Sequence, residues 1–373
     1  MRAAILCFVL LVFTAVAVAD GPYVLRDGAG WQAISVEAVA GVPRKRAVAL
    51  AEGASFTVGA VGKLPAFTVK LRGPAKPSPD EISFSGKAPL FIVADTHGEY
   101  EILVAMLQKH GVVNAQLGWK FGRGHLVVLG DVFDRGPNQT EILWLLYQLE
   151  AEARRAGGGV NLVLGNHETM VMMNDLRYLH PKYAATAEVL GVASYAELFG
   201  TTTVLGQWLR SLPAVLKVND LLCLHAGISR EIVDSGMSLS EINVGVRSLL
   251  EGTRPADNAQ LARANLLMGS TGPLWYRGYF AGQTDFPTAT VTDIDRVLGK
   301  FGVSRIVIGH TIVSTVTPLY EGKVLAVQVY PKRDDGGYAH FESVLVNREG
   351  FWRAKPDGAR EALNLQKGRV TGR

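Results

Sequence analysis

Five short apolar runs in this chain each stop on side chains of the kind that bind metals. Phe91-Ile92-Val93-Ala94 leads into Asp95-Thr96-His97-Gly98, Val127-Val128-Leu129-Gly130 into Asp131 with Asp134-Arg135-Gly136 just behind, and Leu162-Val163-Leu164-Gly165 into Asn166-His167-Glu168. Leu221-Leu222-Cys223-Leu224 runs into His225-Ala226-Gly227, and Ile306-Val307-Ile308-Gly309 into His310-Thr311. Solidly apolar runs of this length read as core strands covered on both faces. A charged group at the end of such a strand costs free energy to desolvate unless it is paired or holds an ion. One or two such endings arise by chance, whereas five, with glycines that let the backbone turn sharply at the same places, form a pattern. Because ligand crevices in open α/β sheets lie at the carboxyl ends of strands, the five endings are expected to converge.

Amphipathic helical patterns separate these strands, which predicts a layered α/β core over residues 89–352. "EYEILVAMLQKHG" follows the first strand, and "QTEILWLLYQLEAEARRAG" follows the second, with Ile142, Leu145, Leu146 and Leu149 on one face and Gly157 as its stop. Helical patterns without strands, from Thr169 to Leu212 and from Ser238 to Leu267, predict an insertion over one sheet edge. Residues 20–88 read differently: period-2 stretches such as "SFTVGAV" and "AFTVKL" predict a small β-rich accessory region, and "GPAKPSPDE" (Gly73 to Glu81) a linker. Residues 353–373 are polar and basic and are expected to form a mobile tail.

The first residues, "MRAAILCFVLLVFTAVAVADG", follow the order of a signal peptide: one basic residue, an apolar run, then Ala17-Val18-Ala19 before Asp20. Cleavage is expected after Ala19, giving a periplasmic or secreted protein with no later membrane span. Cys7 falls inside that segment, so Cys223 is left as the only cysteine of the mature chain and an intrachain disulfide is excluded. Loss of residues 1–19 takes the formal charge from +4 to +3, spread along the chain with no basic and aromatic stripe, which argues against a nucleic-acid partner.

Two carboxylates (Asp95, Asp131), one carboxamide (Asn166) and three imidazoles (His97, His225, His310) form a donor set suited to borderline metals such as Mn²⁺, Fe²⁺/Fe³⁺ or Zn²⁺. Calcium would take more oxygens and an electron-transfer site would take sulfur. Six donors exceed what one ion takes with positions left open, so two ions sharing a carboxylate is the economical reading.

The blocks "ADTHG", "GDVFDRG", "GNHE", "HAG" and "GH" resemble, in order and spacing, the signatures GDxHG, GDxxDRG and GNHE of the phosphoprotein phosphatase branch of the calcineurin-like metallophosphoesterases. The likeness runs from about Pro89 to Gly350, and "DLRYLHPKY", "LGQWLRSLP" and "GPLWYRG" are similar to the bacterial-type subgroup of Shewanella-like protein phosphatases. The resemblance implies a β-sandwich flanked by helices. It implies that Asp95 and His97 bind one metal, that Asp131 bridges, and that Asn166, His225 and His310 bind the second, with manganese ahead of iron or zinc. Asn166, Arg135 and Arg277 would face the phosphate, and His167, oriented by Asp134, would be the general acid. Two departures stand out: Ala94 replaces the glycine of the first block, and "VYPKRDDGGYAHF" lacks the SAPNY-type loop of eukaryotic relatives.

Two cations about 3.5 to 4 Å apart can share a water, lower its pKa toward about 7 and clamp phosphate oxygens for in-line attack. Planar guanidinium groups at Arg135 and Arg277 suit the equatorial oxygens, and His167 can protonate the leaving oxygen while Asp134 holds its other nitrogen. The expected activity is a phosphomonoesterase acting on phosphorylated protein, at Ser/Thr or Tyr, or on a small phosphomonoester. The alternatives are a nucleotide or diadenosine-polyphosphate hydrolase, and an inactive relative that binds a phosphorylated partner. Glu168 reads as a supporting or helix-starting carboxylate; Trp275 and Tyr276 read equally as a substrate wall or as packing. His110, His125, His180 and His340 fit no block.

Overall fold

Successive side chains of a strand point to opposite faces of its sheet, and this alternation sorts the core into layers. Leu90 and Ile92 of the strand Leu90–Val93 belong to one apolar cluster, Phe91 and Val93 to another. Val127 and Leu126, Cys223 and Leu222, and Val307 and Ile306 divide in the same way. The smaller cluster lies between two six-stranded sheets and the larger one lies under the helices, so the architecture is a β-sandwich flanked by helices. The computed structural model describes residues 19–28, 30–84, 88–283, 287–337 and 339–365; the predicted signal segment, apart from Ala19, lies outside them. No helix among the described residues is long and apolar enough to cross a membrane.

One sheet runs Arg360–Ala362, Gly350–Ala354, Ser343–Asn347, Leu90–Val93, His125–Val128 and Gly159–Leu162. Its last three strands are parallel, with Val93, Val128 and Leu162 in register. The other runs Thr317–Leu319, Val324–Ala326, Arg305–Ile308, Leu221–Leu224, Val215–Val218 and Glu81–Ile82, with Leu224 opposite Ile308 in a parallel pair. The five endings therefore leave the sandwich at its carboxyl edges, as the strand pattern predicts. The two stretches expected as an insertion carry helices, among them Asn166–Met172, Pro181–Leu190, Val204–Ser211, Leu239–Leu250 and Asn258–Met268.

Of the mobile tail expected at 353–373, the described part carries strand structure instead, in Gly350–Ala354 and Arg360–Ala362. Arg353 sits within Gly350–Ala354, paired with Val344 on one side and Glu361 on the other, and its guanidinium donates to the Val316 carbonyl. A polar, basic composition hid this because Arg360–Ala362, the edge strand of the sheet, needs backbone pairing on one side only and tolerates charge on the other. Residues 366–373 lie outside the described ones.

The region 20–88 is β-rich as read, with antiparallel strands Asp20–Asp27, Gly30–Val39 and Val42–Leu50 and a hairpin Ser55–Val58/Phe67–Lys70. It has no core of its own: Tyr23, Ile34, Val58 and Val69 share a cluster with Leu103, Trp144 and Phe199. Its Glu81–Ile82 completes the second sheet beside Val215–Val218, and the Trp144 indole donates to the Pro22 carbonyl. Period-2 patterning specifies a strand but not its partner.

Candidate metal centre

The turns that follow three of the five strands carry backbone strain. His97, Asp131, Asp134, Arg135 and His310 have φ between 43° and 69°, five of the eleven non-glycine residues with positive φ among those described. Such conformations cost of order 1–3 kcal/mol each and persist where the surroundings over-determine them. Two glycines show how tightly the turns pack: a Cβ at Gly165 would fall 2.2 Å from Asp131 Oδ1, and one at Gly309 would fall 2.5 Å from Asp95 Oδ1. Ala94, where the first block has glycine, is fully buried and places its methyl group in the cluster between the sheets.

The six predicted ligands meet. His225 Nε2 stands 3.2 Å from Asp131 Oδ2, 2.9 Å from Asn166 Oδ1 and 3.0 Å from His310 Nδ1. His97 Nε2 is 3.8 Å from Asp131 Oδ2 and 4.0 Å from Asp95 Oδ2, and Asp95 Oδ1 is 3.8 Å from His225 Nδ1. Donor atoms gather into two groups, His97, Asp131 and His167 in one and Asp131, His225 and His310 in the other, so that Asp131 is common to both. His97 Nδ1 faces the Phe133 carbonyl at 2.9 Å and His225 Nδ1 the Leu129 carbonyl at 2.7 Å. A carbonyl only accepts, so each Nδ1 carries hydrogen, and each ring in its neutral form turns the Nε2 lone pair to the centre, as metal-binding imidazoles require.

The donor set by itself is electrostatically costly. Burial pushes the Asp95 carboxyl up to about 7 and the His97 imidazole down to about 4. Burial also opposes the His225 imidazolium, but the Asp131 and Asp95 carboxylates outweigh it and hold it up at about 9. His310 Nε2 is buried with no hydrogen-bond partner. Converging carboxylates, imidazoles anchored through Nδ1 with Nε2 turned inward, and an orphaned imidazole nitrogen fit a pair of cations sharing Asp131.

His167 differs from the other imidazoles. Its Nδ1 lies 2.6 Å from Asp134 Oδ2, which leaves Nε2 toward the cavity, 3.8 Å from Asp131 Oδ2 and 3.5 Å from Arg135 Nη2. Burial disfavours its charged form, but Asp131 and Asp134 raise its pKa above the ordinary value. A carboxylate behind Nδ1 favours the charged ring at His167, whereas the carbonyls behind His97 and His225 fix only the Nδ1 hydrogen of those rings and leave Nε2 turned to the centre. The backbone N–H of His167 donates to Asp131 Oδ1 at 3.0 Å, which ties the His167–Asp134 pair to the shared carboxylate.

The cavity of about 240 Å³ takes in every predicted site residue except Asp134 and His225, which stand behind it. The Arg135 guanidinium lies near two tyrosine rings, 5.7 Å from that of Tyr178 and 5.9 Å from that of Tyr330. Arg277 also lines the cavity and donates to the His310 carbonyl and to Thr311 Oγ1. Trp275 lines the wall, 6.0 Å from the His310 ring, while Tyr276 is buried against Tyr279 and serves packing. Tyr178 and Tyr330 were not singled out in the sequence, since a lone tyrosine in a loop carries no signal of its own.

Residues 88–314 match the family model described as calcineurin-like phosphoesterase. The chain belongs to that family. Shewanella-like protein phosphatase 1 of Plasmodium berghei is 25% identical over 237 residues, which is 62% of this chain and 63% of that protein's own length. A symmetrical bis(5'-nucleosyl)-tetraphosphatase of Vibrio cholerae is 31% identical over 140 residues, 37% of this chain and 44% of its own. Among solved structures, the cold-active protein-tyrosine phosphatase of a psychrophilic Shewanella species has a TM-score of 0.80 and 33% identity, covering 93% of this chain and 99% of that one. The fold of this calcineurin-like phosphoesterase is thus the one that its motif blocks imply.

Glu168, which the sequence offers as a supporting or helix-starting carboxylate, holds the turns of the second and third strands together. Its buried carboxylate accepts from the N–H groups of Gly165 at 2.7 Å, Asp131 at 2.8 Å and Val132 at 2.7 Å, clamping the second and third strand ends to each other. The signal was present as a glutamate at the third helical position, two residues after Asn166, placed to accept from the Gly165 N–H at the helix start. Glu168→Gln puts an N–H₂ against N–H groups and is expected to destabilise the metal-free protein by about 2 to 4 kcal/mol. A urea midpoint equal to that of the unaltered chain would remove the role.

Proposed function

We propose that this chain is a two-metal phosphomonoesterase acting on phosphorylated protein. The observation that carries the reading is the pair of donor groups sharing Asp131, with two arginines facing the same cavity. Asp95, His97, Asp131, Asn166, His225 and His310 would hold the ions, manganese ahead of iron or zinc. Such a pair supplies a nucleophilic water at neutral pH and neutralises phosphoryl oxygens.

The chain's own residues do the rest. Arg135 and Arg277 bind the phosphoryl oxygens with planar donors, and the Tyr178 and Tyr330 rings keep Arg135 from swinging away. His167 holds a proton at Nε2 for the departing oxygen, and Asp134 fixes the ring by its Nδ1–H. Tyr178, Tyr330 and Trp275 border the cavity, and a solved relative is named a protein-tyrosine phosphatase. Both favour phosphotyrosine over phosphoserine or phosphothreonine as the substrate.

Similarity to a dinucleoside tetraphosphatase makes that activity the nearest rival. The test is a rate comparison on phosphotyrosine and phosphoserine peptides, nitrophenyl phosphate, its bis-ester and dinucleoside polyphosphates, with elemental analysis of the same preparation. The expected result is two metal ions per chain and a preference for the phosphopeptides, with activity lost to chelation and restored by Mn²⁺. A preference for the bis-ester or the dinucleotide, or failure of metal to restore any activity, would overturn the reading.

A further inference from the structure

Asp134 orients His167, yet Asp134 itself occupies a left-handed conformation (φ 69°) followed by another at Arg135 (φ 69°). Something must hold that turn. The Asp134 N–H donates to Gln139 Oε1 at 2.7 Å, and Gln139 Nε2 donates to Tyr195 Oη at 2.8 Å. Tyr195 Oη is 3.0 Å from Tyr23 Oη, whose own hydrogen goes to Asp20 Oδ2 at 2.5 Å. All five residues are buried.

The direction of every bond in this relay is fixed by its ends. A peptide N–H can only donate and an ionised carboxylate can only accept, so the hydrogens point one way from Asp134 to Asp20. That assigns the Gln139 amide its orientation and makes Tyr195 the donor to Tyr23. Burial, with the nearby Asp20 carboxylate, keeps both phenols well above their ordinary pKa range, so neither loses its hydrogen. Aligned bonds of this kind polarise one another in a low-dielectric interior.

A second arm starts from the same carboxylate. Asp20 Oδ1 is 3.0 Å from Lys182 Nζ, which donates to the Pro137 carbonyl at 2.8 Å, where Tyr183 Oη donates as well at 2.7 Å. Asp20 thus grips the turn 134–138 at the Asp134 N–H through one arm and at the Pro137 carbonyl through the other. It belongs to the N-terminal strand Asp20–Asp27, far along the chain from the metal ligands.

We propose that Asp20 is a positioning residue for the Asp134–His167 pair, and that the N-terminal strand is part of the catalytic apparatus by way of Tyr23, Tyr195 and Gln139. The proposal rests on the acid role given to His167 in the preceding section, and its test has one arm that does not depend on that role. In Asp20→Asn the acceptor-only end of the relay is lost; in Tyr23→Phe the relay is cut with side-chain volume nearly kept.

Two measurements on both variants decide it, with His167→Asn as the control. By native-state hydrogen exchange, the Asp134 amide is expected to exchange at least about tenfold faster while the amides of His125–Val128 keep their protection. In kinetics with Mn²⁺, kcat on a phosphoserine peptide is expected to fall at least about tenfold further than kcat on nitrophenyl phosphate, with KM within about twofold. An Asp134 amide as protected as before, or amides of turn and strand accelerating together, would overturn the proposal. Should His167→Asn affect both substrates alike, the acid role fails and the exchange arm alone decides whether Asp20 positions the turn.

Discussion

Asp131→Asn is expected to lower kcat/KM on a phosphotyrosine peptide by at least about a thousandfold, corresponding to about 4 kcal/mol of lost transition-state stabilisation. The substitution preserves shape and keeps an oxygen to accept from the His167 N–H, so the turn survives. What disappears is the one negative charge common to both donor groups, with Oδ2 at 3.2 Å from His225 and 3.8 Å from both His97 and His167. Burial alone would raise this carboxyl, but the His225 and His167 imidazoles outweigh it and hold its pKa well below the usual range. A carboxamide cannot bridge two cations in that way, so the bound metal should fall from two ions per chain to one or none. The melting temperature of the variant should accordingly lose the rise that Mn²⁺ gives the unaltered chain, because only binding to the folded state stabilises it. Two ions retained with unchanged activity would show that the groups do not share this residue, and the two-metal reading would go with it.

The centre was legible in the sequence because its information is local. Each candidate ligand sits within a few residues of the end of an apolar run, and four of the five turns carry a glycine (Gly98, Gly130, Gly165, Gly309) at which a Cβ would clash, as the 2.2 Å approach at Gly165 shows. Strand identity was legible for the same reason, through period and length. Which strands pair was not: Glu81–Ile82 beside Val215–Val218, or Arg353 opposite Glu361, depends on surfaces distant in the chain or on edges with no hydrophobic demand. The supports of the centre were less legible still. Met170 offers its sulfur to the Asn166 amide at 3.7 Å, turning the Asn166 oxygen toward His225, yet in the sequence it reads only as apolar filler. Tyr23 and Tyr195 meet 172 positions apart, and a buried phenol in an apolar strand gives no sign of whom it will meet. First contacts to metal are constrained by element chemistry, and the contacts behind them only by geometry, so a single sequence displays the former and conceals the latter.

His167→Asn separates proton transfer from metal chemistry. A phosphoserine alkoxide needs a proton as it departs, whereas nitrophenolate is stable without one. General acid catalysis by a positioned side chain contributes about 10²- to 10⁴-fold, so kcat on a phosphoserine peptide should fall about a thousandfold while kcat on nitrophenyl phosphate falls about tenfold or less. Asparagine keeps a nitrogen or oxygen near Nδ1 for Asp134 Oδ2, now 2.6 Å from the ring, but puts no exchangeable proton where Nε2 stands. Phosphotyrosine, with a phenol of intermediate acidity, should fall between the two, and a plot of log kcat against leaving-group pKa should steepen in the variant. Because His167 Nε2 also stands 3.8 Å from Asp131 Oδ2, as near as His97 does, the rival assignment is a metal ligand. A ligand's loss lowers all substrates together and reduces the metal count, while an acid's loss tilts the leaving-group dependence and leaves two ions bound. Equal losses with fewer ions would move His167 from the acid's place into the first metal group and leave Asp134 without a proton to direct.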